Sequence, residues 1–300
     1  MTRSSVSTVL ALFLAFAASA AAPVYAQPPA APAPASDDDD EKLRPLEPDF
    51  SLINLPTTLP LPVGKGNFHL THRFNENLRR DSFGTQASNL FGLDQGATIQ
   101  IEYRFGVMKH LEAIVSRTNV DRDIQFSAKY DILSQSASNP NGPPGVVITS
   151  TSPTERRPGL IGLSAIASVE GGNNFKERYV GAVGFVVSRV IANAAAVYAT
   201  PVFAHNTAAG IGQTLNTFYV GIGARVRIVP ALYVVGEVAP RLSGYMPGDA
   251  EFAFALEKRV GAHTFSVTFA NTAATTYGQI ARGGSPESLY LGFNLARKFF

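Results

Sequence analysis

The sequence has no cysteine and no tryptophan, and charged residues make up only 16% of its 300 positions. Without cysteine the chain has no disulfide, no thiolate nucleophile and no N-terminal cysteine to carry the acyl chains of a lipoprotein. Its aromatic content comes instead from 20 Phe and 10 Tyr, beside 26 Gly. Disulfide scaffolds, thiol enzymes and lipoproteins are therefore excluded, and the residue pattern has to define the class.

The segment from Ser288 to Phe300 alternates in polarity up to a terminal aromatic pair. One face carries Leu289, Leu291, Phe293, Leu295 and Phe299, and the other carries Tyr290, Gly292, Asn294 and Lys298. Earlier segments alternate in the same way, most clearly Gly96 to Phe105. In lipid every backbone polar group must be paired internally, and alternating strands achieve this in a closed barrel. The pattern predicts an all-β fold, a transmembrane antiparallel β-barrel of about 12 strands.

Residues 1–26 have the features of a secretory signal peptide. An apolar stretch from Val9 to Ala18 is too short to span a membrane as a stop-transfer helix, and Val24-Tyr25-Ala26 offers a cleavage site. We therefore expect export, cleavage of this segment, and a location in the bacterial outer membrane.

Residues 27–62 separate the signal peptide from the barrel. They open with a Pro/Ala-rich tract and continue with an acidic run from Asp37 to Glu41. Such composition is typical of a solvated segment without a core. We expect a disordered N-terminal arm that serves as a periplasmic linker, followed by the outer-membrane barrel over residues 63–300.

Two other architectures compete with the barrel. Tyr179 to Ala204 is apolar enough to resemble a membrane helix, but it contains Arg189 near its middle. An arginine at a helix centre costs about 2.5–3.5 kcal/mol on insertion scales. A soluble periplasmic β-sandwich is the stronger competitor, since alternation by itself does not require lipid. The aromatic strand ends and the terminal Phe299-Phe300 favour the membrane.

The connections between strands alternate in length, and this predicts their side of the membrane. The short ones are Gly106 to Lys109, Val229-Pro230 and Gly261-Ala262, which we expect to be periplasmic turns. The longer ones are Asn75 to Gln95, Gly171 to Lys176, Asn206 to Asn216, Ser243 to Ala250 and Asn271 to Glu287, which we expect to be extracellular. Leu133 to Pro158 is long and irregular at a periplasmic position, which indicates either an insertion or a strand count in error by two.

Charged residues fall on faces that the predicted register turns toward the lumen. They are Arg73, Glu102, Arg104, Glu112, Lys129, Asp131, Arg225, Arg227, Glu237, Arg241 and Glu257. Ionisable groups at membrane depth either mark a solute path or pair with each other. Arg225, Arg227 and Arg241 form the best candidate for an anion-selective stripe. The alternative is that opposite charges satisfy each other across a narrow barrel filled by its own side chains.

The sequence offers little for catalysis, metals or cofactors. Its 5 His residues form no H-E-x-x-H motif and no paired ligand set, so we expect no metal and no cofactor. The only candidate for a hydrolase site combines His72 with Ser82 or Ser88, and the sequence has no G-x-S-x-G nucleophile elbow. No basic cluster favours nucleic-acid binding. We therefore expect a protein that is not an enzyme.

Several segments resemble a family of bacterial outer-membrane barrels, the domain of unknown function number 5777. They are Thr71 to Phe74, Asn89 to Gln100, Tyr103 to Leu111, Phe126 to Leu133, Gly236 to Gly244, Gly261 to Thr272 and Leu291 to Arg297. The resemblance covers most of the chain from about Leu52 onward. It implies a membrane-bound β-barrel and no particular activity. Leu133 to Pro158 is longer than the corresponding connection of that family.

The expected function is that of a porin-like passive channel or transport component for small polar solutes, anions included. One alternative is a closed structural barrel that anchors a periplasmic protein partner through its N-terminal arm. A third interpretation, an outer-membrane hydrolase, depends on His72. The expected partners are outer-membrane lipid and lipopolysaccharide, the barrel-assembly machinery during insertion, and a periplasmic protein.

Overall fold

The computed structural model describes residues 46–94, 96–135, 161–191, 194–208 and 212–300. The strands are β1 (Gly66–Asn77), β2 (Ala97–Met108), β3 (Leu111–Thr118), β4 (Ile124–Leu133), β5 (Gly162–Gly171), β6 (Glu177–Ile191), β7 (Ala195–His205), β8 (Thr217–Val229), β9 (Leu232–Ala239), β10 (Arg241–Ser243), β11 (Glu251–Val260), β12 (His263–Ala270) and β13 (Tyr290–Phe299). The short helices are α1 (Phe83–Ser88), α2 (Gly172–Phe175) and α3 (Tyr277–Ala281), with a 3-10 turn at Leu90–Gly92. Among the helices in these ranges, none combines the length and the apolar character needed to cross a membrane.

The strands form one antiparallel sheet that closes on itself. Closure occurs between the first and last strands, because Gly66 of β1 lies opposite both Phe105 of β2 and Phe299 of β13. β9 and β10 both pair with β8 and are separated only by Pro240, which has no N–H to donate to a ladder. They are two parts of one barrel strand. The structure is therefore a closed 12-strand barrel, as the alternation predicts.

The two ends of the barrel differ, and we name them by their connections. The turn end holds Phe299 of β13 and the tight connections at residues 109–110, 230–231 and 261–262. The loop end holds the longer connections 78–96, 172–176, 206–216, 244–250 and 271–289. This is the predicted alternation. Most of the irregular segment Leu133 to Pro158 lies outside the described residues, as do the signal peptide and residues 27–45 of the linker.

The register gives the wall two chemically different faces. Outward positions carry large apolar side chains that remain exposed, such as Val183 (56%) and Phe265 (47%). Inward positions carry the polar and charged side chains, such as the fully buried Arg73, Lys129 and Arg225, together with small and apolar side chains on β6 and β7. A slip of one residue would exchange these faces. The arrangement suits a wall with hydrocarbon outside and a polar interior.

The interior is occupied by the chain itself. Residues 46–62, which the sequence analysis assigns to the linker, lie inside the barrel against the inward faces of its strands. Phe50, Leu52, Ile53 and Leu55 are at most 1% exposed. The predicted linker therefore differs from the structure over this range, because its apolar residues are buried by packing in the lumen. We call residues 46–62 the lumen hairpin.

Replacing Val267 with lysine tests whether the outward face meets hydrocarbon. Val267 lies in the middle of β12, opposite Leu256 and Phe293 of the neighbouring strands. A lysine at the bilayer midplane costs about 2–4 kcal/mol, so we expect Val267→Lys to lower the free energy of unfolding from lipid vesicles by that amount in urea titrations. The control Met246→Lys changes an exposed apolar residue of the 244–250 connection. Equal effects of the two substitutions would contradict the assignment.

Candidate functional site

The lumen hairpin enters and leaves at the turn end, with its tip pointing toward the loop end. Its two arms meet through an antiparallel bridge between Ser51 and Pro56. The tip consists of residues 52–55, where the N–H of Leu52 donates to the carbonyl of Leu55 at 2.8 Å. Pro62 lies against Gly106 near the turn end of β2. The hairpin is therefore a folded element of the interior.

Two glycines of β8 make room for the tip. A Cβ atom added to Gly221 would lie 2.7 Å from Leu55 Cδ1, and one added to Gly223 would clash with Leu52 Cδ1. Both glycines face inward on β8, where any larger residue would push the hairpin away. The leucines pack into a buried cluster that also contains Tyr198, Tyr219, Tyr233 and Val235. Glycine at these two strand positions thus allows close approach of another chain segment.

One carboxylate holds the backbone of the tip. Glu237 of β9 accepts hydrogen bonds from the backbone N–H groups of Ile53 (3.1 Å), Asn54 (2.8 Å) and Leu55 (3.2 Å). Successive N–H groups that converge in this way form an anion-binding concavity. Hydrogen bonds with an ionised partner are stronger than neutral ones, so this contact fixes both the position and the turn of the hairpin.

The side chain of Asn54 joins the tip to several strands. Its amide nitrogen donates to Glu251 Oε1 of β11 at 3.0 Å, and its oxygen accepts from Arg73 Nη2 of β1 at 3.2 Å. Arg73 Nη1 also donates to Asn294 Oδ1 of β13 at 2.8 Å. Asn294 in turn donates to the carbonyl of Ile53 at 2.9 Å. The tip is thereby bound to the two strands whose pairing closes the barrel.

Three cations hold the arms of the hairpin. Arg104 Nη2 donates to Ser51 Oγ at 2.7 Å, and Arg225 Nη2 donates to the carbonyl of Ser51 at 2.7 Å. Lys129 Nζ donates to the carbonyl of Leu59 at 2.6 Å. Each of these side chains is almost fully buried. Carbonyl groups of the hairpin that would otherwise lie unpaired in the lumen are satisfied in this way.

The same cations are paired with carboxylates of the wall. The ion pairs are Arg104 with Glu102 (2.6 Å) and Glu112 (3.7 Å), Lys129 with Glu112 (3.0 Å) and Asp131 (3.8 Å), and Arg225 with Glu257 (2.8 Å). Buried charges are stable only when they are paired and hydrogen-bonded. The geometry therefore favours opposite charges that pair with each other over a row of unpaired cations.

The residues predicted as lumen charges all lie at inward positions of the strands. Arg73, Arg104, Glu112, Lys129, Asp131, Arg225, Glu237, Arg241 and Glu257 are buried, whereas Glu102 and Arg227 are partly exposed. Arg225 contacts the lumen hairpin, Arg241 lies at the loop end, and Arg227 lies near the turn end of β8. Arg241, opposite Tyr219, thus lies at a different depth of the barrel from Arg225 and Arg227, which are two residues apart on one face of β8. An effect of any of these residues on a solute stays a prediction.

Arg241 organises the loop end. Its guanidinium donates to the carbonyl oxygens of Pro247 (2.8 Å), Gly248 (2.9 Å), Asp249 (2.7 Å) and Arg282 (2.7 Å). These carbonyls belong to the 244–250 connection and to residues 271–289, which we call the inward loop. With both terminal nitrogens of its guanidinium bound to backbone carbonyls, Arg241 has a structural role at this position.

The inward loop fills the other half of the lumen. Its helix α3 points inward, and Tyr277 joins the same buried cluster as the hairpin leucines. Gln279 Nε2 donates to Asp123 Oδ2 at 2.8 Å, and the N–H of Gly278 donates to Glu170 Oε2 at 3.2 Å. Burial raises the pKa of the Tyr277 phenol. The sequence pattern predicts this segment only as an extracellular connection, although Tyr277, Ile280 and Ala281 are a signal of burial.

The arrangement around His72 does not resemble a hydrolase site. The imidazole faces outward and is stacked on Phe293, with ring centroids 4.7 Å apart. Ser82 caps α1 through the N–H of Thr85, and Ser88 Oγ donates to the carbonyl of Thr85. Neither serine is hydrogen-bonded to His72. Among the residues that the structure describes, no three acidic or histidine side chains are grouped so as to hold a metal ion.

The apolar outward face, the paired polar interior and the closed sheet define a membrane-spanning β-barrel. Comparison of sequences identifies the group to which it belongs. Residues 49–299 match the family described as "Membrane bound beta barrel domain (DUF5777)", so the chain is a member of that family. Among curated proteins no match was found.

Solved structures with a similar arrangement share little sequence with this chain. The NanC porin is 8% identical with a TM-score of 0.47, and the alignment covers 79% of this chain and 100% of the porin. An outer membrane channel from Pseudomonas putida F1 is 11% identical with a TM-score of 0.48, covering 81% and 98%. Omp33 of Acinetobacter baumannii is 10% identical with a TM-score of 0.40, covering 80% and 99%. Sequence identities and TM-scores this low give no indication of function, so the contents of the lumen are the basis for the proposal below.

Removing the charge of Glu237 tests its hold on the hairpin. Glu237→Gln is isosteric but offers a neutral acceptor to the three N–H groups of the tip. Hydrogen bonds to charged groups contribute about 1.5–3 kcal/mol each and neutral ones about 0.5–1.5 kcal/mol, so a loss of about 1 kcal/mol at each of the three bonds should lower the free energy of unfolding by about 3 kcal/mol. Chymotrypsin should then cut at Phe50 or Leu52, which the wild type protects, and mass spectrometry would detect it. Glu177→Gln, at an exposed pair of β6, should change neither result.

Adding a side chain at Gly223 tests the fit between the wall and the hairpin. Gly223→Leu places atoms where Leu52 lies, and overpacking of a core costs about 1–3 kcal/mol. We expect a lower urea midpoint and chymotrypsin cleavage in the hairpin. Gly236→Leu is the matched control, since Gly236 faces outward on β9 and a Cβ there meets no atom within 4 Å. If both variants behave alike, the hairpin does not depend on this contact.

Proposed function

We propose that this protein is an outer-membrane barrel closed by its own N-terminal hairpin, which holds residues 27–45 on the periplasmic side. The observation that carries the proposal is the occupation of the lumen from both ends, with Glu237 bound to three successive N–H groups of the hairpin tip. Among the alternatives raised by the sequence, this is the closed barrel that anchors a periplasmic partner. No enzymatic role belongs to it.

The contacts of the hairpin support a closed resting state. Displacing it would break the hydrogen bonds of Glu237, Arg104 and Lys129 to the hairpin at once. Leaving a buried donor or acceptor without a partner costs about 1–3 kcal/mol, and more for a charged group. Spontaneous opening is therefore expected to be rare, because several such contacts would have to be broken or hydrated together.

The proposed orientation follows from the even strand number. In bacterial barrels of this kind both chain ends lie in the periplasm, where the turns are short. β1 begins and β13 ends at the turn end, so residues 27–45 precede the hairpin on that side. After cleavage of the signal peptide, the Pro/Ala tract and the acidic run 37–41 remain available to a periplasmic protein. Capture of such a partner is part of the proposal.

A second function, gated passage of small polar or anionic solutes, is favoured by one specific observation. The hairpin is held largely by charged side chains of the wall, such as Arg104 and Lys129. If the hairpin left, these side chains would line a hydrated passage.

A disulfide between the hairpin and the wall separates these two functions. Thr58 Oγ1 and Ser188 Oγ of β6 are hydrogen-bonded to each other, and the chain has no other cysteine. We expect Thr58→Cys/Ser188→Cys to form one disulfide that locks the hairpin. For a closed anchor, planar-bilayer recordings of the wild type and of the oxidised and reduced double variant should all lack steady conductance.

The control is Ser188→Cys alone, which forms no disulfide within one chain. Steady conductance of the oxidised double variant would contradict closure by the hairpin. Openings that appear on reduction and disappear on reoxidation, without a change in the single variant, would establish the gated passage instead of the permanently closed anchor.

A further inference from the structure

A shallow groove on the outward face crosses β4 to β7, and its volume is about 590 Å³. The register explains it, because Ala128 lies opposite Ala167 and Val169 lies opposite Gly181 on adjoining strands. These small side chains form a floor between the larger Phe126 and Phe203. The groove lies on the wall, separate from the lumen and its hairpin.

An aromatic cluster bounds the groove at the loop end. Phe175 packs edge-on against Phe126 and against Tyr179, with ring centroids 5.3 Å apart in both pairs. The connection that carries Phe175 is bound to the neighbouring one, since the N–H groups of Asn173 and Asn174 donate to carbonyls of residues 121 and 122 at 2.8 and 2.9 Å. This end of the groove is therefore a fixed structure.

Cations surround the same end. Arg117 and Arg178 are each engaged with neighbours, Arg117 with Asn174 Oδ1 (3.0 Å) and Arg178 with Asp121 (3.8 Å). Arg122 and Lys176 are exposed and form no ion pair with any residue that the structure describes. The carboxylates nearby are Asp121, Glu177 and the buried Asp123, and Arg282 is a further cation that pairs with Asp121 at 3.3 Å. Arg122 and Lys176 therefore remain as exposed positive charges beside an apolar groove.

We propose that this groove binds an acyl chain of a phosphorylated, multiply acylated glycolipid, whose phosphate lies among Arg117, Arg122, Lys176 and Arg178. The groove faces the hydrocarbon that surrounds a membrane-bound barrel, so its apolar occupant is an acyl chain. The cations select a phosphate at the head of that chain. The choice of a glycolipid rests on the proposed orientation, which places the loop end in the outer leaflet of the outer membrane.

A second copy of this chain fits the groove less well. Two copies related by a twofold axis along the membrane normal would bring the same surface together. Their cationic ends would then face each other at the same depth, and their concave floors would leave a void. A lipid brings the opposite charge and the complementary shape.

The test measures binding of lipid A to the purified protein in non-ionic detergent, by native mass spectrometry and by the temperature at which the barrel unfolds. Gly181→Leu fills the groove at a position where an added Cβ meets no atom within 4 Å, and Arg122→Gln/Lys176→Gln removes the two unpaired cations. Each variant is expected to weaken binding about tenfold or more, the equivalent of about 1.4 kcal/mol. Wild type should retain one lipid A and unfold at a higher temperature with it.

Matched controls exist on the same barrel. Gly236→Leu adds the same side chain at an outward glycine of β9, and Lys65→Gln/Lys109→Gln removes two exposed charges at the turn end. Both should bind lipid A as the wild type does. The site is overturned if the groove and cation variants also bind unchanged, or if only the cation variant weakens binding. Phosphatidylglycerol that binds as tightly as lipid A overturns the assignment to a glycolipid.

The outcome is independent of the proposal for the lumen. The hairpin contacts none of the residues that form the groove floor, so the oxidised Thr58→Cys/Ser188→Cys protein should bind lipid A with unchanged affinity. Conductance of the wild type would refute closure of the barrel without affecting this site.

Discussion

The pairing of β1 with β13 is the interaction on which the rest of the structure depends. Once that seam is closed, every strand has two neighbours and the backbone needs no partner from the surroundings, which is the condition for a sheet in hydrocarbon. Closure also creates an interior lined by polar and charged side chains on most strands and by an apolar cluster on β6 and β7. The interior of a narrow barrel is filled either by water or by side chains and segments of the protein. This chain fills it with residues 46–62 and 271–289.

The charged groups of the interior are best understood as a binding surface for the chain's own segments. Glu237 receives three N–H groups, while Lys129 and Arg225 satisfy carbonyls that the hairpin leaves unpaired. Buried ion pairs by themselves are weak evidence for stability. Here they contribute to specificity, because the hydrogen bonds of each charged group can form with the hairpin in only one position. In any other position these groups would be left without partners. The lumen thereby selects a single arrangement of an otherwise irregular segment.

The sequence predicts the wall well and its contents poorly, for physical reasons. Period-two alternation is imposed by the two faces of a strand, so the 12 strands, their faces and the inward charges could be derived residue by residue. The hairpin has no periodicity, because its residues are packed by contacts with many strands, and its prolines resemble those of the tract before it. Two signals were present: Asp49 to Lys65 contains no charged residue between its ends, and Gly221 and Gly223 lie on an inward face. Neither signal reveals, from sequence alone, that the uncharged segment packs against the two glycines, because that contact is defined only once the strands form the barrel.

The seam and the hairpin are joined at one point, where Arg73 of β1 and Asn294 of β13 both bind the tip. In chain order the hairpin precedes β1, and β13 follows the other strands described above. A hairpin that contacts both β1 and β13 is therefore in position to align these two strands before they pair. Assembly of the wall and placement of its contents would then be a single event, and damage to the hairpin would appear first as barrels that fail to form.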